Sequence, residues 1–346
     1  VIGQKKRPVK MNNISIRHIE YYLPETLVTN EDLQRENPSW DMNRAAEKTG
    51  VYNRHFAKEN ETAFDMACKA CNQLFASGVV KKEEIDGIIF CTQSPDYLLP
   101  SNAFLIHKYL GLKQSVFAFD YNLACSGYIY GMAIARGFFA TNLATNILLI
   151  NGDTYSKFIN PKDRSTRILF GDGASVSLLS KTEKDGIIDI VLESSGKDYE
   201  SFYLPGGGSR IPISDESKVE TTDSSGNVRT PESIHMNGFG VWKFIASTVP
   251  KQIDELLKKN GYGVSDVDLF IFHQASKMTL DSLIKALKID DQKTFINITD
   301  IGNLVSASIP VAIKNAEEAG RLKRGDLLVL SGFGVGLSWG TIIMRY

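Results

Sequence analysis

Cysteine is scarce in this chain, long apolar runs are missing, and charge of either sign is nearly cancelled. Four cysteines in 346 residues, with no apolar signal region at the N-terminus, fit a reducing cytoplasm better than a disulfide framework. No apolar run approaches the roughly 20 residues that a membrane-spanning helix needs. A formal net charge of −1 gives no support to binding of nucleic acid or of an anionic membrane surface, and leaves room only for local basic patches. Cys68 and Cys71 form a Cys-x-x-Cys pair. They fall in a helical pattern over Ala63–Phe75 with no second ligand pair nearby, so helix packing is expected and a metal site is not. Cys91 ends the apolar run Ile88-Ile-Phe-Cys91 and is read as core.

What remains is an ordinary globular composition, 43% hydrophobic and 23% charged, on a chain long enough for two domains. Residues 1–10 (VIGQKKRPVK) are polar and irregular and are expected to be a leader, native or added. Beyond them strands alternate with helices, which predicts an α/β architecture. Strands are expected at Ile14–Tyr21, Gly87–Cys91, Val116–Asp120, Asn146–Asn151 and Ala174–Leu179. A second set is expected at Ile187–Leu192, Leu269–Phe272, Thr294–Ile296, Leu327–Leu330 and Thr341–Met344. The main helices are expected at Ala63–Ser77, Tyr128–Ala140, Gly240–Lys259, Lys277–Leu287 and Ser306–Gly320.

The chain also echoes itself. Glu84-Ile-Asp-Gly-Ile-Ile-Phe-Cys-Thr-Gln-Ser94 resembles Asp266-Val-Asp-Leu-Phe-Ile-Phe-His-Gln-Ala-Ser276, and Asn146–Gly152 resembles Asp326–Gly332. Two similar halves, 11–184 and 185–346, would place matching elbows at a shared seam, where ligand sites are favoured.

Cys125 stands at such an elbow. A short apolar strand, Val116–Asp120, runs into Ala124-Cys-Ser-Gly127, and an apolar helix follows. A thiol beside a helix N-terminus is expected to be stabilised as thiolate, so Cys125 is the candidate nucleophile. The matching landmarks of the second half are His273, leaving an apolar strand, and Asn303, in a Gly-Asn elbow before a helix. Taken singly, each also suits a structural role or a cap. The other histidines, His18, His55, His107 and His235, lack comparable settings and are read as structural.

These residues resemble those of the β-ketoacyl-ACP synthase III family, within the thiolase-like condensing enzymes. The likeness rests on Ala124-Cys-Ser-Gly127, Phe170-Gly-Asp-Gly-Ala174, His273-Gln-Ala-Ser276, Gly302-Asn303 and the closing Gly332–Gly340. Lys48-Thr-Gly-Val-Tyr-Asn-Arg54 and Asp163-Arg164 also fit. The resemblance implies a thiolase-like fold of two similar halves with mixed sheets in an α-β-α-β-α stack. It implies a cytoplasmic homodimer with no permanently bound cofactor, using acyl-CoA and malonyl-ACP as substrates and acyl carrier protein as partner.

By that resemblance, Cys125 carries the acyl group, and His273 with Asn303 stabilises the enolate left by decarboxylation. The backbone N–H groups of Cys125 and Val335 form a second oxyanion hole. Lys48, Arg164, Phe170, Lys243, Ser276 and Lys277 are implied contacts for substrate, CoA or carrier, and Leu98 and Leu99 are implied to close the partner's acyl pocket. An acyltransferase forming an ester or amide, and a non-catalytic carrier-binding subunit, are the alternatives.

The chain departs from the family pattern at four places. Arg44 stands where a tryptophan is usual, with Trp40 one turn away; Ser276 replaces an asparagine, Met278 an arginine, and Val335 a glycine. These changes spare the thiol chemistry and fall on donor recognition, so an acyl donor or carrier other than that of the acetyl-CoA initiator is expected.

Overall fold

The computed structural model describes residues 13–182 and 186–346. Residues 1–10 and the expected junction of the halves near residue 184 lie outside the described residues. Two mixed sheets organise the rest. The first contains β1 (Asn13–Tyr22), β2 (Gly87–Cys91), β3 (Phe117–Tyr121), β4 (Asn146–Asp153) and β5 (Gly173–Thr182), in spatial order β1-β5-β4-β2-β3. The second contains β6 (Gly186–Ser194), β7 (Leu269–Phe272), β8 (Leu327–Gly334) and β9 (Ser338–Arg345), in order β6-β9-β8-β7.

The two sheets share one wiring. β4 runs parallel to β2 as β8 runs parallel to β7. β5 lies antiparallel between β1 and β4, as β9 does between β6 and β8. β3 has no full counterpart. A strand was expected over Thr294–Ile296, but Thr294 makes a single bridge to Phe270. A 3-10 turn ends at Lys293 and a short helix begins at Ile298, which leaves too few residues for a ladder.

The main helices are α1 (Met42–Thr49), α2 (Ala63–Ala76), α3 (Asn102–Leu110), α4 (Gly127–Ala140), α5 (Gly238–Lys259), α6 (Lys277–Leu287) and α7 (Ser308–Glu318). α2 and α3 cover the outer face of the first sheet, while α5 and α6 cover the second. α4 and α7 touch both sheets, completing five layers, α-β-α-β-α.

The composition of α4 explains its central place, because a helix apolar on all sides is stable only when enclosed. Tyr128, Ile129, Met132 and Phe139 are fully buried there, and each contributes roughly 1.5–3 kcal/mol by leaving water. Gly131 lets the helix come close: a Cβ at that position would lie 2.4 Å from Tyr121 Oη. Cys68 and Cys71 are buried on α2, whose start is fixed by a Thr62–Asp65 capping box. Cys91 is buried in β2, where its thiol donates to the Leu123 carbonyl at 3.0 Å.

Candidate active site

β3 ends at Tyr121 and α4 begins at Gly127, so Cys125 occupies the connecting elbow, just before the Ser126 cap. The elbow is pinned locally. Gly127 N–H donates to the Ala124 carbonyl at 2.7 Å, and the Ser126 and Ser338 hydroxyls pair at 2.7 Å. Cys125 is 4% exposed. The expected thiolate is not what this environment favours. Burial pushes the thiol up to about 12 and the nearby Asp153 adds to it, while the backbone N–H groups of Val335 and Cys125 act the other way. Desolvation of a buried sulfur outweighs the helix terminus. The same Val335 and Cys125 amides are the expected oxyanion donors, and both face the sulfur.

His273 directly follows β7, and its backbone N–H donates to the Ser331 carbonyl at 2.8 Å. The ring sits edge-on to Phe333 and is 1% exposed. Burial lowers its pKa to about 3, so the ring is neutral. Nδ1 has no hydrogen-bond partner and Nε2 faces the Asn303 amide nitrogen, which can only donate, so neither ring nitrogen meets an acceptor that would fix the proton on it.

Asn303 follows Gly302, whose φ of +69° suits a glycine. Its side-chain oxygen accepts from Val305 N–H at 2.9 Å, and the Ser308 hydroxyl approaches at 3.5 Å. With the oxygen committed, the amide nitrogen turns inward and lies 3.3 Å from His273 Nε2.

The structure thus gathers Cys125, His273, Asn303 and Phe170 around one cleft of about 180 Å³. Lys48 and Ser276 also line it, as does Met278. Ser276 additionally caps α6 by accepting from Thr279 N–H. Arg164, Lys243 and Lys277 are exposed and stand outside the residues lining the cleft. Lys277 is turned along α6 to pair with Asp281, and Lys243 lies on the outer side of α5 while Val241 and Trp242 face inward. Trp40 packs with Leu33, Met42, Ala45 and Ile168, so it does not replace the missing aromatic at exposed Arg44.

A second cavity of about 760 Å³ lies beyond a wall formed by Tyr155, Phe170 and Phe202. Phe202 borders both spaces, and Leu98 and Val335 line the larger one. Leu98 and Leu99 are 94% and 83% exposed. Sequence reading missed Tyr155, Phe202 and Trp242, since an aromatic residue in a loop or apolar helix carries no mark of the cleft it will face. Asp153 was missed too, although a polar residue ending a buried strand is the signal that singled out His273.

The remaining histidines hold the fold. Nε2 of His18 pairs with Glu20 at 2.7 Å, and Nδ1 of His55 lies 2.6 Å from the Pro24 carbonyl. His107 and His235 each contact a backbone carbonyl at 2.9 Å.

Comparison with known proteins identifies the family. Residues 119–196 match the family model for 3-oxoacyl-[acyl-carrier-protein (ACP)] synthase III, and residues 257–346 match its C-terminal counterpart. The chain is 35% identical to beta-ketoacyl-[acyl-carrier-protein] synthase III of Campylobacter curvus, over 97% of this chain and 98% of that protein. A crystal structure of a 3-oxoacyl-(acyl-carrier-protein) synthase III superposes with a TM-score of 0.93 at 39% identity, covering 96% of this chain and all of that one. The enzyme of the same name from Aquifex aeolicus superposes at 0.83 with 33% identity, over 97% of this chain and 100% of that one. With the thiol, imidazole and amide meeting in one cleft on a shared full-length fold, this chain belongs to the β-ketoacyl-acyl-carrier-protein synthase III family.

Proposed function

We propose that the protein catalyses a decarboxylative Claisen condensation between an acyl thioester and malonyl-ACP through an acyl group held on Cys125. One observation carries this reading. Two neutral polar groups, the His273 imidazole and the Asn303 amide, meet in the cleft that holds the thiol with Nε2 and Nδ2 3.3 Å apart, and among the described residues no Asp or Glu lines it; with the ring proton on Nε2 both would donate to a bound oxygen. A malonyl carboxylate would meet no like charge there.

In the first half-reaction the Cys125 sulfur attacks the acyl carbonyl, the C–S bond to CoA breaks, and the cysteine proton leaves as CoA-SH. The developing oxyanion would rest on the N–H groups of Cys125 and Val335. In the second, malonyl-ACP loses carbon dioxide, and the electron pair moves onto the thioester oxygen facing His273 and Asn303. The enolate carbon attacks the acyl-enzyme, the C–S bond to Cys125 breaks, and the sulfur takes up a proton from solvent, replacing the one that left with CoA-SH. The products are 3-oxoacyl-ACP and carbon dioxide. Fixed donors aimed at the developing charge are the efficient arrangement for such a step.

In this scheme acyl-CoA and malonyl-ACP are substrates, and no resident cofactor takes part. Lys243, Lys277 and Arg164 remain candidates for the surface met by CoA or the carrier. Leu98 borders the larger cavity of its own chain, and the exposed Leu98–Leu99 tip is assigned to contact with a second copy, whose acyl pocket it would help close. Among the described residues no helix is long and apolar enough to cross a membrane.

The test combines intact-mass measurement of Cys125 after exposure to a panel of acyl-CoA and acyl-ACP donors with carbon dioxide release from malonyl-ACP. An acyl adduct and coupled release support condensation. An adduct passed to a hydroxyl or amine without carbon dioxide supports the acyltransferase reading, and absence of any adduct overturns both.

A further inference from the structure

One buried carboxylate has no part in the scheme above. Asp153, the last residue of β4, is 1% exposed. Its Oδ1 accepts from Gln93 N–H at 2.7 Å and from the Thr92 and Ser94 hydroxyls at 3.3 Å each. Its Oδ2 accepts from the Ser306 hydroxyl at 3.2 Å. The donors arrive from two separate segments. Thr92–Ser94 leads on to the Leu98–Leu99 tip, and Ser306 belongs to the turn that follows Asn303.

That turn is strained. Val305 has a φ of +54°, where a β-branched residue is rare and persists only if its surroundings hold it. It is held on both sides: Val305 N–H binds the Asn303 side-chain oxygen, Leu304 N–H donates to Ser308 Oγ at 3.0 Å, and Ser306 is tied to Asp153. The contact that keeps the turn in place is thus one residue from the contact that aims the Asn303 amide.

We propose that Asp153 is a positioning residue for the condensation, acting through Ser306 on the Val305 turn that orients the Asn303 amide. This rests on the functional reading above. The carboxylate belongs to the first half of the chain and Asn303 to the second, so the bond couples the nucleophile's half to the decarboxylating half.

The charge of Asp153 supplies an independent readout. Cys91 from β2, Cys125 from the elbow and Tyr155 beyond β4 are the titratable groups that feel it, and it disfavours ionisation of each. Burial raises the carboxyl itself to about 7 against its four hydrogen-bond donors. Removing the charge makes the Cys125 thiol easier to deprotonate.

The experiment compares full-length wild type with Ser306→Ala and Asp153→Asn, measuring carbon dioxide release from malonyl-ACP and, separately, the pH profile of Cys125 acylation. Ser306→Ala is expected to lower release by about tenfold, a loss of positioning, and to leave the acylation profile in place. Asp153→Asn can still bond the Ser306 hydroxyl and is expected to release more carbon dioxide than Ser306→Ala, the partial retention a positioning contact allows, while loss of its charge moves the acylation profile to lower pH. Wild-type release from Ser306→Ala, or release from Asp153→Asn no higher than that from Ser306→Ala, overturns the proposal. Both variants keep side-chain volume nearly unchanged, and circular dichroism confirms that each is folded. A wild type that never acylates defeats the functional reading instead, so the two failures are distinguishable.

Discussion

Asn303 Nδ2 and His273 Nε2 stand 3.3 Å apart although thirty residues separate them in sequence. The amide is aimed by its own side-chain oxygen, which Val305 N–H holds at 2.9 Å. The imidazole is held by the end of β7 and kept neutral by burial. Two neutral polar groups from different elements therefore converge on one point.

Removal of one of them is expected to strike decarboxylation selectively. Asn303→Ala should lower carbon dioxide release from malonyl-ACP by 10²–10³-fold, about 2.7–4 kcal/mol of barrier. The acyl adduct on Cys125 should still form, because in the proposed scheme its oxyanion rests on the backbone N–H groups of Cys125 and Val335. Parallel intact-mass and gas-release assays check the separation.

The neutral state of His273 makes a prediction about stability against pH. Its pKa is about 3 in the folded protein and about 6.5 when unfolded. Between those values the unfolded chain binds more protons, so stability rises with pH. The contribution is fully present above about 6.5 and is lost as pH falls toward 3. His273→Gln should flatten the pH dependence of the unfolding free energy from urea titrations between pH 4 and 6.5, by at most about 1.4 kcal/mol per pH unit. An unchanged slope would show that the ring ionises in place.

Gly334→Ala should cripple acylation. A Cβ there would lie 2.8 Å from Cys125 Cβ and 2.9 Å from its sulfur, so the tail loop or the nucleophile must shift. A displacement of about 1 Å at a reacting group can cost on the order of 10²-fold in rate. The rate of adduct formation by mass spectrometry, set beside a thermal melt, separates this from general unfolding.

The Leu98–Leu99 tip offers a test of assembly. Two adjacent leucines this exposed are unfavourable in water unless covered. Leu98→Asp with Leu99→Asp should shift the protein toward monomer in light scattering and weaken retention of longer acyl groups. A wild type that is already monomeric removes this role.

Much of the scaffold was legible in the chain because it depends on local pattern. The apolar runs over Gly87–Cys91 and Leu269–Phe272 are strands buried on both faces, and the apolar helix after Cys125 is the enclosed α4. Thr294–Ile296 has the composition of a strand but lacks the length to act as one.

The site divides in the same way. Sequence marks Cys125, His273 and Asn303, because a polar residue leaving an apolar element must answer to something beyond it. The protonation states did not follow from sequence. A helix terminus favours the thiolate, yet burial beside Asp153 keeps Cys125 a thiol. Contacts at the cleft were equally hidden. Lys48 and Ser276 line it while Lys277, beside Ser276 in sequence, turns away to Asp281.

What the sequence determined by itself was the order of the main strands and helices, the duplicated pattern and the marking of Cys125, His273 and Asn303 as candidates, since all of these are carried by local residue type and spacing. What only tertiary structure decided was the 3.3 Å approach of Asn303 to His273, the Asp153–Ser306 tie between the halves and the charge state of each buried group. These depend on distance and on exclusion of water, which arise only when segments remote in sequence are packed together.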